Sequence, residues 1–265
     1  MINTDSLGLR TKSVGASYGV KQPNEYRIAL VGDSVTFGEG VPRTEDTFAQ
    51  VLEDILNRQP GRFVRVLNFG VSAYSVKQMA ASLEYRMVDI QPDLVVLAMI
   101  PEDFNVLRTP DINARGYLVD RRMPFLQSSI VREVLRPIRL MYLLRGVILR
   151  WISPSQDHEA SRLLEQGEIP ESYRYVQRFK AIAEHYQFPY LVVLLPKPKE
   201  KAWGPLPSRL TQDGVTYLDL SPLDREFTRE EFVASPFDPH PSAAVHRRIG
   251  ERLADYVQHQ PGIAQ

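Results

Sequence analysis

Short runs of aliphatic and β-branched residues recur along the chain, each followed by a stretch in which apolar positions return every three or four residues. Residues 28–31, 94–97 and 190–195 are apolar without alternation, and 64–67 is so but for Arg65, the pattern of parallel strands covered on both faces. Residues 215–220 alternate and read as a fifth strand nearer an edge. Between these runs lie amphipathic stripes: Phe48, Val51, Leu52, Ile55 and Leu56, then Val76, Met79, Ala80, Leu83 and Met87. A third comprises Tyr175, Phe179, Ile182, Ala183 and Tyr186, and a fourth Val245, Ile249, Leu253 and Val257. Each predicts a helix with one buried face. Strands alternating with helices imply an α/β fold built on a doubly wound parallel sheet of about five strands. In such sheets ligands bind at the carboxyl ends of the strands.

Two stretches break the rhythm. Residues 1–24 lack periodicity and are expected to lie across the domain surface as an N-terminal extension. Residues 104–170 are too long for a plain loop and predict an inserted cap with structure of its own. Within it, 131–152 is apolar with five arginines and one acid. Arg132, Arg136, Arg139 and Arg150 share roughly an 80° sector of a helical wheel. Three readings stay open for this segment: a lid helix with its arginines outward, a wall of an acyl-binding groove, or a membrane-surface helix. The whole of 1–265 is expected to form one domain.

Composition narrows the chemistry. Lys+Arg and Asp+Glu both number 32, giving a formal charge of zero, so bulk electrostatics argue against nucleic acid as a partner. There is no cysteine, which removes disulfides, a thiol nucleophile and thiolate metal sites together. No apolar signal core or membrane-spanning run is seen. The chain as it stands therefore reads as cytoplasmic, and a longer precursor would open the extracytoplasmic alternative. No Gly-Lys-Ser/Thr follows the first strand, so a nucleotide-binding loop is unsupported.

Val31-Gly32-Asp33-Ser34 ends the first strand, where a serine stands at the carboxyl edge of the sheet. A serine hydroxyl is a poor nucleophile until an adjacent base takes its proton. Phe237-Asp238-Pro239-His240-Pro241-Ser242 precedes the last helix, which Ser242 is suited to cap. His240 is thereby expected on a rigid loop, as a base near neutral pH, with Asp238 to orient it. The remaining histidines, His158, His185, His246 and His259, show no ligand spacing and read as surface or capping residues. Asp33 and Asp103 read as residues that order strand-end loops.

Gly32-Asp33-Ser34, Asn68-Phe69-Gly70-Val71-Ser72-Ala73, Glu102-Asp103 and Asp238-x-His240 together resemble the GDSL/SGNH hydrolases, over roughly residues 26–110 and 171–258. Asn3, Leu7-Gly8-Leu9-Arg10 and Thr36-Phe37-Gly38-Glu39-Gly40-Val41 are similar to one bacterial branch of that family. The resemblance implies a three-layer flavodoxin-like sandwich, serine esterase or acylhydrolase chemistry through Ser34, His240 and Asp238, and neither a metal nor an organic cofactor. The implied substrate is a small-molecule, lipid or carbohydrate ester. An O-acyltransferase with the same triad, or a catalytically silent binding protein, are the alternatives.

The resemblance also implies an oxyanion hole from the N–H of Ser34, a second-block glycine and a third-block asparagine. Here those last two positions are Ala73 and Glu102. Alanine can donate its N–H, although a required positive φ would strain it. An ionised Glu102 would repel a developing oxyanion, which predicts weak hydrolysis near neutral pH or another task for this residue. Asn105 is the alternative donor. The Asp-to-His spacing is one residue shorter than the commonest family form.

Overall fold

The computed structural model describes residues 2–12, 20–58, 61, 63–106, 111–112, 118–119, 159–197 and 203–260. Its centre is a parallel sheet of β1 (Glu25–Gly32), β2 (Phe63–Gly70), β3 (Leu94–Met99), β4 (Tyr190–Leu194) and β5 (Tyr217–Asp219). The spatial order is β2-β1-β3-β4-β5, every neighbouring pair parallel. All eight residues of β1 and all six of β3 are buried, which explains their unbroken apolar runs. The edge strand β5 is shorter than its alternating run predicted.

Side chains alternate between the two faces. Ala29, Val31, Val95, Leu97 and Met99 pack with α3 (Val76–Ser82), α4 (Glu159–Glu165), α5 (Arg174–His185) and α6 (Leu206–Gln212). Ile28, Leu30, Val96 and Ala98 pack with α2 (Phe48–Leu56), the short α7 (Arg229–Phe232) and α8 (Ala243–Gln258). The four expected stripe residues of α8 are wholly buried, each contributing about 1.5–3 kcal/mol of apolar burial. The order reverses between β1 and β3, so the switch point lies at their carboxyl ends. α1 (Ser34–Phe37) starts there.

Three expectations need correction. The stripe ending at Met87 is not one uniform α-helix: after α3 a π turn spans Leu83–Met87 and a 3-10 turn Val88–Ile90. Gln91 then takes φ 51°, a left-handed C-cap that ends the helical stretch just before Pro92. Second, the N-terminal extension does not simply lie on the surface. Asp5 accepts the N–H groups of Leu7 and Leu9 at 2.8 and 2.9 Å, and the resulting turn delivers Leu9 and Arg10 into the interior. Third, His246 is not a surface residue. It is wholly buried between α8 and α2, stacked on Phe48 with ring centroids 5.6 Å apart, and its Nδ1 accepts the Phe48 N–H at 3.3 Å.

The expected helix over 131–152 and most of the 104–170 insertion lie outside the described residues, as does His158. At the ends of that insertion, Asn105 and Ser172 are buried and tied down. Asn105 Oδ1 accepts the Ala160 N–H at 3.0 Å, and Ser172 Oγ donates to Phe104 O at 2.6 Å. Among the described residues no helix is long and apolar enough to cross a membrane.

Burial makes His246 a source of acid sensitivity. Desolvation, with Arg10 and His240 adding repulsion, pushes its pKa down to about 3. The folded protein therefore holds a neutral ring while the unfolded chain binds a proton below about 6.5. Falling pH favours unfolding between those values, by on the order of 4 kcal/mol at pH 3. Burial raises the pKa values of Asp33 and Asp103, which act in the opposite direction but cancel when wild type is compared with a single variant. His246→Leu should lower stability at pH 7 by about 1–3 kcal/mol, through the orphaned Phe48 N–H. Denaturant titrations should find that gap narrowed or reversed at pH 4; a constant gap contradicts a neutral buried imidazole.

Candidate active site

Ser34 is the first residue of α1, so its N–H is one the helix cannot pair internally. Asp33 forms the N-cap: Oδ1 accepts the Val35 N–H at 2.9 Å, and Oδ2, 3.2 Å from Ser34 Oγ, is an alternative acceptor for the one proton of that hydroxyl. Desolvation pushes the buried Asp33 carboxyl up to about 6, against the pull of those two contacts. Asn68 pins β2 to this turn, donating from Nδ2 to Thr36 O at 2.8 Å while Oδ1 accepts the Gly70 N–H at 2.9 Å. Asp103 Oδ2 similarly accepts the Ile100 N–H at 2.8 Å beyond β3.

The imidazole arrives from the other end of the chain, on a strand rather than the expected loop. β6 (Val233–Ser235) pairs antiparallel with β7 (Asp238–Pro241). Pro239 and Pro241 made this segment read as a turn, but a two-stranded ladder leaves an open edge where proline is tolerated. Ser242 stands at the N-cap of α8, facing Val245 N at 3.5 Å and donating to Glu231 O at 2.6 Å. The buried face of α8 thus anchors the hairpin.

His240 Nε2 lies 3.0 Å from Ser34 Oγ, and Nδ1 lies 2.6 Å from Asp238 Oδ1. The same carboxylate oxygen accepts the His240 N–H at 3.1 Å, so the short spacing lets one oxygen hold both ring and backbone. The hydrogen bond from the His240 side chain, then that from its backbone, lowers the Asp238 pKa. With a proton on Nδ1 facing Asp238, the lone pair of Nε2 faces the hydroxyl. That arrangement can take a proton from Ser34 and return it to a departing oxygen.

At the two oxyanion positions the structure departs from the simplest expectation. Ala73 has φ 64° in a turn closed by Tyr74 N–H donating to Val71 O at 3.1 Å. A non-glycine residue there costs about 1–2 kcal/mol. Its N–H has no partner among the described residues. Glu102 sits in the 3-10 turn Pro101–Phe104 after β3, and its Oε1 accepts from Lys197 Nζ at 2.6 Å. Its Oε2 is buried without a partner among the described residues. An ion pair therefore stands where the resemblance implies a neutral amide. The amide oxygen of Asn105 is taken by the Ala160 N–H of α4.

Two residues that bear on the site, Glu39 and Arg10, were quoted from the sequence only within longer motifs and given no role. Glu39 Oε2 lies 3.2 Å from His240 Nε2, and its other oxygen accepts the Ser72 hydroxyl. Gly38 and Gly40 flank it with φ 89° and 78°. A Cβ on Gly40 would stand 2.7 Å from Ala234 Cβ and 3.1 Å from His240 Cβ, so this loop packs directly on the hairpin. Arg10 braces it from below, donating to Gly38 O and Val41 O, both at 2.6 Å. An acidic residue between two glycines just after the serine helix was the available signal for Glu39. His185 and His259 lie at exposed helix ends. Among the described residues no cluster of three or more His, Asp or Glu could hold a metal ion.

No protein-family profile matches the chain, and no curated protein does. Solved structures do. A G-D-S-L family protein from Desulfitobacterium hafniense DCB-2 aligns over 86% of this chain and 98% of its own, at 12% identity and TM-score 0.51. A lipase/acylhydrolase from Enterococcus faecalis aligns over 88% and 95%, at 10% identity and TM-score 0.51. A two-domain esterase active on acetylated mannans aligns over 88% of this chain but 49% of its own, at 15% identity and TM-score 0.52. At these identities the likeness is one of architecture, and it agrees with the 2-1-3-4-5 sheet order: the chain shares the α/β fold of these solved structures.

Proposed function

We propose that this chain is a serine esterase, an acylhydrolase that cleaves O-acyl esters of a small molecule, lipid or carbohydrate. The observation that carries the reading is the continuous line from Asp238 through His240 to the Ser34 hydroxyl, with contacts of 2.6 and 3.0 Å. Ser34 Oγ attacks the acyl carbon while its proton passes to His240 Nε2. The C–O bond to the alcohol then breaks, and the same proton leaves with the alcohol. Water repeats the sequence on the acyl-serine and frees the acid. Asp238 keeps the ring in the productive tautomer and offsets the imidazolium charge. The N–H groups of Ser34 and Ala73 are the oxyanion donors. Because Ala73 already holds the left-handed turn, its N–H needs no rearrangement at the moment of reaction.

Glu102 limits the rate in this reading. Lys197 offsets part of its charge, yet a carboxylate supplies no hydrogen to an oxyanion. An O-acyltransferase would use the same residues with an alcohol in place of water, and product formation that requires an added acceptor separates the two. A silent binding protein is favoured only by Ala73 and Glu102, and the Ser34–His240 contact speaks against it.

A fluorophosphonate probe should label the protein, and Ser34→Ala should abolish labelling. His240→Ala should slow it about 100- to 10,000-fold, the usual share of a general base. Labelling that persists in Ser34→Ala removes Ser34 as the nucleophile. Glu102→Asn should raise kcat for an acetyl ester at least about tenfold by restoring a neutral donor. A lower kcat with folding intact, read by circular dichroism, contradicts Glu102 as the limiting group.

A further inference from the structure

The imidazole of His240 has three polar neighbours, and only two fit one protonation state. With Nδ1–H directed at Asp238, Nε2 carries either a lone pair that accepts from Ser34 or, after taking its proton, an N–H. Glu39 Oε2, 3.2 Å from Nε2, receives nothing from the ring in the first state. Its partner oxygen is occupied by the Ser72 hydroxyl. Glu39 therefore presents one half-exposed carboxylate oxygen without a donor whenever the site is ready to react. Its position is built: two left-handed glycines flank it, Gly40 packs on His240, and Arg10 fixes the carbonyls on either side.

The departing alcohol oxygen must come within hydrogen-bond reach of Nε2, since that atom returns the proton to it. Ester oxygen and Glu39 Oε2 then share Nε2 as a neighbour. A hydroxyl on the carbon next to the ester-bearing carbon stands about 3 Å from the ester oxygen, and a hydrogen bond from it spans a further ~2.7 Å. We propose that Glu39 is a specificity-determining residue that accepts this neighbouring hydroxyl, making esters of neutral polyols the preferred substrates. An anionic group at the same place would be repelled, and a plain alkyl alcohol would leave the carboxylate unserved. This proposal rests on Ser34 and His240 acting as nucleophile and base.

The test is a matched pair, 1-monoacetylglycerol and propyl acetate, which differ by the hydroxyls of the alcohol. Wild type should favour the glycerol ester by about tenfold or more in kcat/KM. Glu39→Ala should reduce that ratio about 10- to 100-fold, the range for a hydrogen bond to a charged group. Glu39→Gln, which keeps shape and an acceptor but loses the charge, should reduce it less. A ratio near one in wild type, or one that both variants leave untouched, overturns the proposal. So does an equal loss on both esters, which would make Glu39 a partner of the imidazolium and not of substrate. Fluorophosphonate labelling of Ser34 in wild type separates the failures: with labelling intact only the Glu39 role falls, whereas without it the triad falls as well.

Discussion

A hydroxyl and an imidazole 206 residues apart meet at 3.0 Å, and the molecule is organised around holding that contact. Neither group moves independently of the core. Ser34 is fixed by the end of β1, the Asp33 cap and the Asn68 clasp. His240 is fixed by a hairpin whose next residue caps α8, and α8 is buried along α2. The proton-transfer distance is thus set by helix packing on the sheet, where shifts as small as a methylene are felt. That rigidity spares the site the reorganisation a loosely held pair would need in the transition state.

Carboxylates crowd the same rim. Asp33, Asp238 and Glu39 approach the serine or histidine, and Glu102, paired with Lys197, lies near enough to Asp33 for its charge to help raise that carboxyl's pKa. Each sits in a different environment. Asp33 is buried and its pKa raised, Asp238 is hydrogen-bonded and its pKa lowered, and Glu102 is joined to an ammonium. One kind of side chain is thereby given separate tasks by burial and by neighbours.

Much of this was legible in the chain. β1, β3 and β4 stand out because strands covered on both faces must be apolar throughout, and α8 because one face is buried along its length. Ser34, Asp238 and His240 are legible through their order and spacing. β7 was hidden by its prolines, whose usual meaning is a turn. His246 was hidden because a polar residue on an amphipathic helix reads as exposed, and only the contact with Phe48 makes it interior. Arg10 lay in a stretch without periodicity, so nothing local signalled that its guanidinium reaches the carbonyls of residues 38 and 41. Lys197 and Glu102, 95 residues apart, become partners only through the adjacency of β3 and β4.

The two left-handed glycines beside Glu39 carry a broader consequence. They bend the main chain to its course whatever group hangs between them, and the arginine below grips peptide oxygens and the Thr44 hydroxyl but not the acid itself. The backbone at this point is a socket, indifferent to the plug it receives. Descendants of this chain could exchange the acid for an amide, a hydroxyl or a hydrocarbon and alter which alcohols are welcomed, while the proton path beside it kept its shape.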